Sequence, residues 1–392
     1  MLVIGAGPVG SHVACKLAET GHQVLVLEQK GMPGGKACCT GIVSQECVDS
    51  FAIDDSVILR RANSASLFSP SGGVLRLRRE KVQACILDRT AFDVNMVGRA
   101  QAKGVEYVFN SLVKYISFGD DEVEVDANRR EERLKFQART AVIATGFDSK
   151  LVNRLGLGKV GDFVMGAQAD VETCRVDEVE VYFGRVIAPG FFSWLVPTTP
   201  NMARVGLLSR RSSGTYLKKL ISSLVAQGKI IPGAVELNYG GIPLKPLPKT
   251  YGKRLLVVGD AAGQVKPTTG GGIYYGLLCA DIAAGTLQQA LHKDDLSVRS
   301  LARYEREWKK KLRWELEVDY YARKFCECLS DKRIDRIFDI IKSSGADQDL
   351  LGAEDLSFDW HSKALMRLMG NRAVSRALEA MNTPFRLRGR IW

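Results

Sequence analysis

The chain opens on Leu2–Gly10, LVIGAGPVG, in which three aliphatic residues run into a Gly-x-Gly-x-x-Gly motif. Apolar residues then recur at helical spacing as far as Leu17, which predicts a helix that ends at Gly21. A second strand is predicted over 23–27, and the acid Glu28 follows it. Strand, glycine turn, helix, strand and acid in this order predict a dinucleotide-binding unit.

Each residue of the motif has a physical task in such a unit. Gly5 allows the tight turn, Gly7 lets a pyrophosphate approach the backbone, and Gly10 lets the helix pack closely on the strand. The helix that begins at Pro8 offers free N–H groups and a positive dipole to phosphates. Glu28 is placed to accept hydrogen bonds from an adenosine ribose.

A second glycine-rich segment decides between cofactors. The apolar strand 254–258 runs into Gly259–Gly263 (GDAAG), and Gly270–Gly272 begin a long apolar helix. The carboxylate of Asp260 is suited to accept ribitol hydroxyls, and the small residues after it allow a close approach. The helix start would direct its dipole at the N1–C2=O2 edge of a flavin and stabilise the reduced ring. NAD needs a single dinucleotide fold, so two separated fingerprints favour FAD.

The pattern between these fingerprints changes from alternating strands and helices to strands alone. A strand is predicted over 107–116, a hairpin over 64–77, and an antiparallel sheet from about 163 to 208. We therefore predict an α/β protein with a Rossmann-like FAD-binding domain, an inserted antiparallel-sheet substrate domain and a C-terminal helical region. The predicted ranges are 1–62, 78–160 and 245–292 for the first, 63–77 and 161–244 for the second, and 293–392 for the third.

The composition narrows the class of protein and its partners. The 392 residues are 46% hydrophobic and 25% charged, which is typical of a globular protein. No apolar run reaches the length of about 18 residues that a membrane span needs, and we read the opening apolar residues as a strand rather than a signal peptide. Nine cysteines without framework spacing favour reduced thiols in the cytoplasm. No zinc or other metal site is expected, because no cysteine pair has a matching second pair.

The net charge of +11 indicates an anionic partner. No nucleic-acid motif accompanies it, so we expect an acidic membrane surface or a phosphorylated ligand instead. The segment 360–392 carries a local balance of +6, with Glu379 as its one acid. Its basic residues are Lys363, Arg367, Arg372, Arg376, Arg386, Arg388 and Arg390. We expect this segment to bring the protein to an anionic lipid surface, or to pack as a basic helix on its body.

Several motifs together resemble known flavoproteins. Four motifs resemble the FAD-binding set of hydroxybenzoate-hydroxylase-type flavoproteins. They are the two glycine-rich fingerprints, the Leu87-Asp88-Arg89 that precedes a helix, and Ala144-Thr145-Gly146. Within that group, Gly35–Gly41 (GKACCTG) and Phe192–Pro197 (FSWLVP) are similar to motifs of the geranylgeranyl reductase family. The resemblance covers roughly residues 1 to 290. Phe192 stands where the family usually has Tyr, and Val196 where it usually has Phe.

The resemblance implies an FAD-dependent reductase that saturates C=C bonds of a prenyl chain on a lipid or a prenyl diphosphate. It leaves the external electron donor open between NAD(P)H and ferredoxin, and an electron-donor protein is a further expected partner. Together with the fingerprints it implies these cofactor-binding residues: Gly5, Gly7, Pro8, Gly10, Glu28, Gln29, Lys36, Ala37, Arg89, Ala144, Thr145, Gly146, Gly259, Asp260, Ala261, Gly263, Gly270, Gly271, Gly272 and Ile273.

Cysteines and aromatic residues are the candidates for the chemistry itself. Cys39, which best matches the family's cysteine, and then Cys38 are the candidate acids or redox partners. The alternative is a small buried pair. The candidate substrate wall is Phe191, Phe192, Trp194, Val196 and Pro197, and its alternative is plain sheet core.

Two other functions remain open from the sequence. A flavin monooxygenase or halogenase of the same fold is one, since Ser193-Trp194-x-x-Pro faintly resembles a halogenase motif. A halogenase would need a lysine near 70–80, and Lys81 stands in no recognisable context. The other is a non-catalytic FAD-binding protein that carries isoprenoid lipid. Turnover of an alkene distinguishes these classes.

Overall fold

A computed structural model describes residues 1–376, apart from 36, 37, 131, 148, 354 and 373. Its strands are β1 (Leu2–Ile4), β2 (Leu25–Leu27), β3 (Ile42–Ser44), β4 (Ile58–Ala62), β5 (Ser64–Phe68), β6 (Val74–Arg78), β7 (Ala84–Leu87), β8 (Glu106–Val108), β9 (Ser111–Phe118), β10 (Val123–Arg129), β11 (Glu132–Ala138), β12 (Ala141–Ile143), β13 (Phe163–Glu172), β14 (Val179–Phe183), β15 (Phe192–Thr199), β16 (Met202–Ser209), β17 (Asn238–Pro243), β18 (Tyr251–Gly252) and β19 (Leu255–Val257).

The helices are α1 (Pro8–Ala18), α2 (Gln45–Ser50), α3 (Arg89–Gln101), α4 (Ser149–Arg154), α5 (Ser213–Ala226), α6 (Ile273–His292), α7 (Val298–Glu327), α8 (Asp331–Ser343), α9 (Ala346–Leu351) and α10 (His361–Gly370). Asp88 caps α3 by accepting hydrogen bonds from the N–H groups of Thr90 and Ala91, both at 3.0 Å. Among the described residues, no helix is both long and apolar enough to cross a bilayer.

A six-stranded sheet in the order β18-β19-β12-β1-β2-β8 carries the nucleotide-binding motifs. All its neighbours are parallel except β18, which pairs antiparallel with β19. Its strands are short and almost entirely apolar, because helices cover both faces of a parallel sheet. β1 lies between β2 and β12, so the glycine turn after β1 falls where the strand order reverses, as in other Rossmann-like folds.

A seven-stranded sheet follows the order β17-β13-β16-β15-β14-β5-β6 and brings the hairpin 64–77 together with the strands after 163. Its pairs are antiparallel with one exception, because β5 runs parallel to β14. α5 packs against one face and shares a hydrophobic core with it. The α/β fold, with its Rossmann-like unit and substrate-sheet architecture, is confirmed; the numerical domain boundaries stay a prediction.

The structure differs from the sequence-based strands in two places. The strand predicted over 107–116 is interrupted, since β8 ends at Val108 and β9 begins at Ser111. Asn110 lies between them with φ 57°, a left-handed conformation that breaks a strand. A small sheet in the order β3-β7-β4 was also not predicted, and its strand β3 begins directly after the loop that holds Cys38 and Cys39.

Candidate functional site

The glycine turn after β1 leaves room for a ligand at one residue and excludes side chains at the others. Gly5 has φ +109°, and a Cβ added to it would stand 2.8 Å from the carbonyl carbon of Ala144. A Cβ on Gly10 would collide with the carbonyl oxygen of Gly5. A Cβ on Gly7 would meet nothing within 4 Å. Gly7 is also the N-cap residue of α1. Because it has no side chain, no side-chain hydrogen bond caps the first N–H groups of the helix there.

Glu28 is held at the edge of this turn by backbone groups. Its Oε2 accepts a hydrogen bond from the N–H of Ala6 at 2.7 Å, and its Oε1 accepts one from the N–H of Lys30 at 2.8 Å. The residue is 9% exposed, whereas Gln29 beside it points to solvent. Backbone groups therefore fix the orientation of this carboxylate beside the glycine turn.

The loop after β12 offers a polar group that lacks a partner. Ala144 donates its N–H to the carbonyl of Ile4 at 2.8 Å, which ties this loop to β1. Thr145 Oγ1 is buried and has no hydrogen-bond partner among the described residues. At Gly146, with φ +70°, an added Cβ would meet open space. Buried hydroxyls are nearly always paired, so a ligand bound here would complete the set.

The second fingerprint meets the first in space. Gly259 has φ +67°, and a Cβ on it would stand 3.2 Å from Val9 in α1. Asp260 lies against Gly272 at the start of α6, and Ala261 and Gly263 complete the turn. Burial raises the pKa of Asp260 to about 6, although the nearby Arg89 guanidinium lowers it. The starts of α1 and α6 therefore adjoin, with a carboxylate between them.

These residues fit FAD. The phosphates, ribose and ribitol of FAD would be held by the open approach at Gly7, the oriented Glu28, the unpartnered Thr145 and the turn at Asp260. Gly270, Gly271 and Gly272 lead into Ile273, the first residue of α6, and Gly272 gives that helix no side-chain cap. Lys36 and Ala37, two predicted cofactor contacts, lie outside the described residues.

The loop with the two cysteines is positioned from both sides. From the nucleotide side, Leu87 donates its N–H to the carbonyl of Gly41 at 2.9 Å. From the seven-stranded sheet, Arg204 donates to the carbonyls of Thr40 at 2.8 Å and Leu87 at 2.9 Å. Gln168 accepts from the Thr40 hydroxyl at 2.8 Å and donates to the carbonyl of Cys39 at 3.4 Å. The cysteines therefore lie at the junction of the two sheets.

The two cysteines differ in their surroundings. Cys39 Sγ accepts the N–H of Gly41 at 3.4 Å and lies near the Arg89 guanidinium, which pairs with Asp93 at 2.8 Å. Burial alone would lower the pKa of Arg89, but Cys39 and Asp93 outweigh it and raise that pKa. Burial and the neighbouring Cys39 raise the pKa of Cys38 to about 11. Cys38 packs on Gly240 of β17, where an added Cβ would stand 3.4 Å from its own.

One face of the seven-stranded sheet connects the cysteine loop with aromatic side chains. Gln168, Gly206 and Trp194 pair directly across β13, β16 and β15, so they share a face. With strands ~4.8 Å apart, Trp194 lies about 10 Å from Gln168, which holds the cysteine loop. Phe192 continues this face, with its ring centroid 6.0 Å from that of Trp194. The face is opposite to the one that α5 covers.

The other predicted wall residues are less available. The ring of Phe191 is covered by the Arg323 guanidinium at 3.3 Å, and the residue is 4% exposed. Val196 shares the face of Trp194 but is fully buried, and Pro197 is buried as well. Of the five predicted wall residues, Phe192 and Trp194 are thus the ones that are half-buried on the face toward the cysteine loop.

Comparison with known proteins agrees with this geometry. Residues 1–180 match the family of pyridine nucleotide-disulphide oxidoreductases. Digeranylgeranylglycerophospholipid reductase 1 of Methanopyrus kandleri is 30% identical over 357 residues, which cover 88% of this chain and 94% of that protein. Digeranylgeranylglycerophospholipid reductase 1 of Methanothermobacter thermautotrophicus is 31% identical over 355 residues, covering 86% and 89%.

The chain belongs to the digeranylgeranylglycerophospholipid reductase family. It is an FAD-dependent oxidoreductase, as the motifs predicted. Solved structures agree on the fold. A geranylgeranyl bacteriochlorophyll reductase-like protein from Thermoplasma acidophilum superposes with a TM-score of 0.84 at 24% identity, covering 97% of this chain and 98% of its own. A flavin-dependent brominase superposes with a TM-score of 0.68 at 13% identity, covering 97% of each chain.

In this member of the digeranylgeranylglycerophospholipid reductase family, sequence reasoning missed Gln168 and Arg204. Both anchor the cysteine loop to the sheet, yet neither was among the site residues predicted from the sequence. The sequence did contain a reason to leave Phe191 out of the predicted wall, because adjacent residues of a strand point to opposite faces. Phe191 and Phe192 would therefore not be expected to line one wall together.

Proposed function

We propose that this FAD-dependent oxidoreductase saturates C=C bonds of a prenyl chain, carried on a geranylgeranyl lipid or another isoprenoid precursor such as a prenyl diphosphate. Its relatives are named for the reduction of such a lipid and match it over most of both chains. The observation that carries the proposal is the shared sheet face. Gln168 on this face holds the cysteine loop, and Trp194 and Phe192 on the same face offer apolar rings.

An isolated alkene needs a hydride on one carbon and a proton on the other. When bound, FAD supplies the hydride from its reduced ring. This chain has to bind the prenyl chain in a dry slot, which the rings of Phe192 and Trp194 and the side chains of Leu208 and Ile242 support. A Cβ on Gly270 would stand 2.9 Å from Ile242 and 3.6 Å from Leu208, so this apolar lining reaches the start of α6.

We assign proton delivery to Cys39 Sγ. A guanidinium beside a sulfur stabilises the charge that remains after the proton leaves, and Arg89 occupies that position. Cys38 is less suited, because its raised pKa of about 11 keeps it a weakly acidic thiol. Arg89 and Asp93 would act as positioning residues through the cysteine. The cofactor-binding roles of the residues around Gly7, Glu28, Thr145 and Asp260 belong to the same proposal.

A halogenase or monooxygenase of the same fold would bring reduced flavin together with oxygen. Solved structures of a flavin-dependent brominase and a flavin-dependent halogenase share the fold of this chain at 13–16% identity. Identity this low indicates a common fold and not a common function. The lysine nearest to the expected position, Lys81, is exposed in the turn between β6 and β7. Anaerobic turnover of a geranylgeranyl lipid by the reduced protein tests the proposal, and it separates the reductase from the oxygen-dependent enzymes and from a non-catalytic lipid carrier.

An anionic membrane surface is the proposed working place, with NAD(P)H or ferredoxin as the source of electrons. The nature of the substrate and the charge of the chain support this proposal. A prenyl glycerophospholipid is itself a membrane component, and the chain carries a net charge of +11. Basic residues within a Debye length of an anionic surface add about 1 kcal/mol each to binding. Of the basic segment 360–392, residues 377–392 lie outside the described residues.

A further inference from the structure

The loop from Lys266 to Gly272, which leads into α6, folds tightly around the Lys266 side chain. The N–H of Lys266 donates to the carbonyl of Gly271 at 3.1 Å, and the N–H of Gly270 donates to the carbonyl of Lys266 at 2.8 Å. A Cβ added to Gly271 would stand 2.7 Å from Cε of Lys266 and 3.2 Å from its Nζ. The ammonium group of Lys266 therefore lies directly behind the start of α6.

A carboxylate from the C-terminal region neutralises this ammonium. Lys266 Nζ forms an ion pair with Oδ1 of Asp359, 93 residues further along the chain, and the side chains are 4% and 2% exposed. The carbonyl of Asp359 also accepts the Tyr275 hydroxyl at 2.9 Å, which ties it to the first turn of α6. Oδ2 of Asp359 is buried without a hydrogen-bond partner among the described residues.

A second contact from the same region holds this loop. Thr268 Oγ1 donates to Oδ2 of Asp319 at 2.9 Å and lies 2.7 Å from Nδ1 of His361. Asp319 comes from α7, and His361 is the first residue of α10. The loop ahead of α6 is thus braced at two points, by Asp359 and by Asp319 with His361, from a part of the chain that none of the FAD motifs includes.

Charge at this place matters for a flavin. The start of α6 has no side-chain cap and already presents the positive end of its dipole. Reduced flavin is stabilised by positive charge near its N1–C2=O2 edge. In a buried site the interaction of two unit charges is much stronger than in water, so a neutralising carboxylate changes the local potential substantially.

We propose that the Lys266–Asp359 pair sets the electrostatic potential at the flavin-facing start of α6. Lys266 adds positive charge behind the helix start, and Asp359 is the positioning residue that holds the ammonium in place and neutralises it. Because each charge offsets the other, the pair holds the reduction potential of bound FAD at its working value without touching the reacting atoms, and loss of either charge alone shifts it. This inference rests on the proposed function, in which the start of α6 faces the flavin ring.

The experiment measures the reduction potential of bound FAD in the full chain, at one pH for all variants. Asp359→Asn keeps the size of the side chain but leaves the ammonium without a counter-charge, so the potential should become more positive. Lys266→Met leaves the carboxylate instead, so the potential should become more negative. The double variant Lys266→Met/Asp359→Asn should return close to the wild-type value, because neither charge remains.

Asp355→Asn is the matched control. It makes the same chemical change four residues earlier, at a carboxylate that is 48% exposed and pairs with Arg367 at 2.7 Å, and it should leave the potential unchanged. If one single variant does not fold, the other decides, since their expected shifts have opposite signs. Wild-type potentials in both single variants, or a shift that persists in the double variant, would overturn the inference. A wild-type chain that binds no FAD would contradict the proposed function itself.

Discussion

Trp194 lies flat against Gly206, its direct pairing partner on the neighbouring strand β16. A Cβ on Gly206 would stand 2.6 Å from Cε2 of the indole and 2.8 Å from Nε1. The indole can therefore lie along the sheet only because its partner is glycine. This places an aromatic plane on the same face as Gln168, which holds the cysteine loop.

Gly206→Ala should displace the Trp194 ring and so misplace the substrate slot. We expect prenyl reduction to fall by about 10- to 100-fold, as displacements near 1 Å do in active sites, and stability to fall by about 1–3 kcal/mol from overpacking. FAD absorbance and affinity should stay at wild-type values. Gly98→Ala is the control, because a Cβ there meets nothing within 4 Å. Equal activity in both variants would show that the indole does not shape the slot.

The two adjacent cysteines should respond differently to the same substitution. Cys39→Ala should lower alkene reduction by at least about 100-fold, the contribution expected of a general acid, while FAD remains bound. Cys38→Ala should retain most of the activity, because the raised pKa of about 11 makes Cys38 a poor proton donor. Single-turnover rates of the reduced protein provide the measurement. A larger loss in Cys38→Ala than in Cys39→Ala would reverse the assignment.

Asp260 should link cofactor binding to stability. Burial raises its pKa from 3.8 to about 6 in the FAD-free fold. Between these values the native state binds more protons than the unfolded state, so the stability contributed by this group is present below about pH 4 and is lost as the pH rises through 6. Asp260→Asn cannot ionise. Above pH 6 its free energy of unfolding should therefore exceed that of the FAD-free wild type, on the order of 3 kcal/mol.

Denaturant unfolding of the FAD-free proteins between pH 4 and 8 checks this prediction, together with a titration of FAD. Asp260→Asn should bind FAD more weakly than the wild type, since the carboxylate is the proposed ribitol acceptor. Asp355→Asn, at an exposed carboxylate, should show no comparable pH-dependent gain. A pH-independent difference between Asp260→Asn and the wild type would contradict the buried-carboxylate explanation.

Deletion of residues 377–392 should weaken binding to anionic vesicles. The deletion removes Arg386, Arg388 and Arg390 against Glu379 alone. We expect a loss of about 1 kcal/mol for each arginine that lies near the surface, no change for neutral vesicles, and retention of FAD. Vesicle flotation with and without anionic lipid measures this, and unchanged binding to anionic vesicles would locate the membrane contact elsewhere or exclude it.

The cofactor-binding half of the fold could be predicted because its signals are local. β1, the turn from Gly5 to Gly10, α1 and Glu28 fall within a single short stretch, and each residue type has one physical purpose there. The hairpin 64–77 was predicted for the same reason, since alternating strands flank the turn at Gly72. The sequence also placed the hairpin in one sheet with the strands after 163, but it did not indicate the sense of the pairing, since β5 joins β14 in the parallel sense.

The parts that sequence reasoning missed depend on contacts between distant segments. No local pattern indicates that Lys266 pairs with Asp359, or that Arg204 reaches the carbonyl of Thr40. The C-terminal helical region was predicted, yet its contact with the loop ahead of α6 follows only from the packing of α7 and α10. The single residue Asn110, in a left-handed conformation, sufficed to divide a predicted strand.

The most direct test of the central claim is anaerobic turnover. FAD in the purified protein is reduced in the absence of oxygen, a geranylgeranyl glycerophospholipid is added in vesicles, and the products are examined by mass spectrometry. The account predicts products that have gained one hydrogen molecule for each bond reduced, in wild type but not in Cys39→Ala. Products that appear only in air and have gained oxygen would contradict it and assign the protein to the monooxygenases.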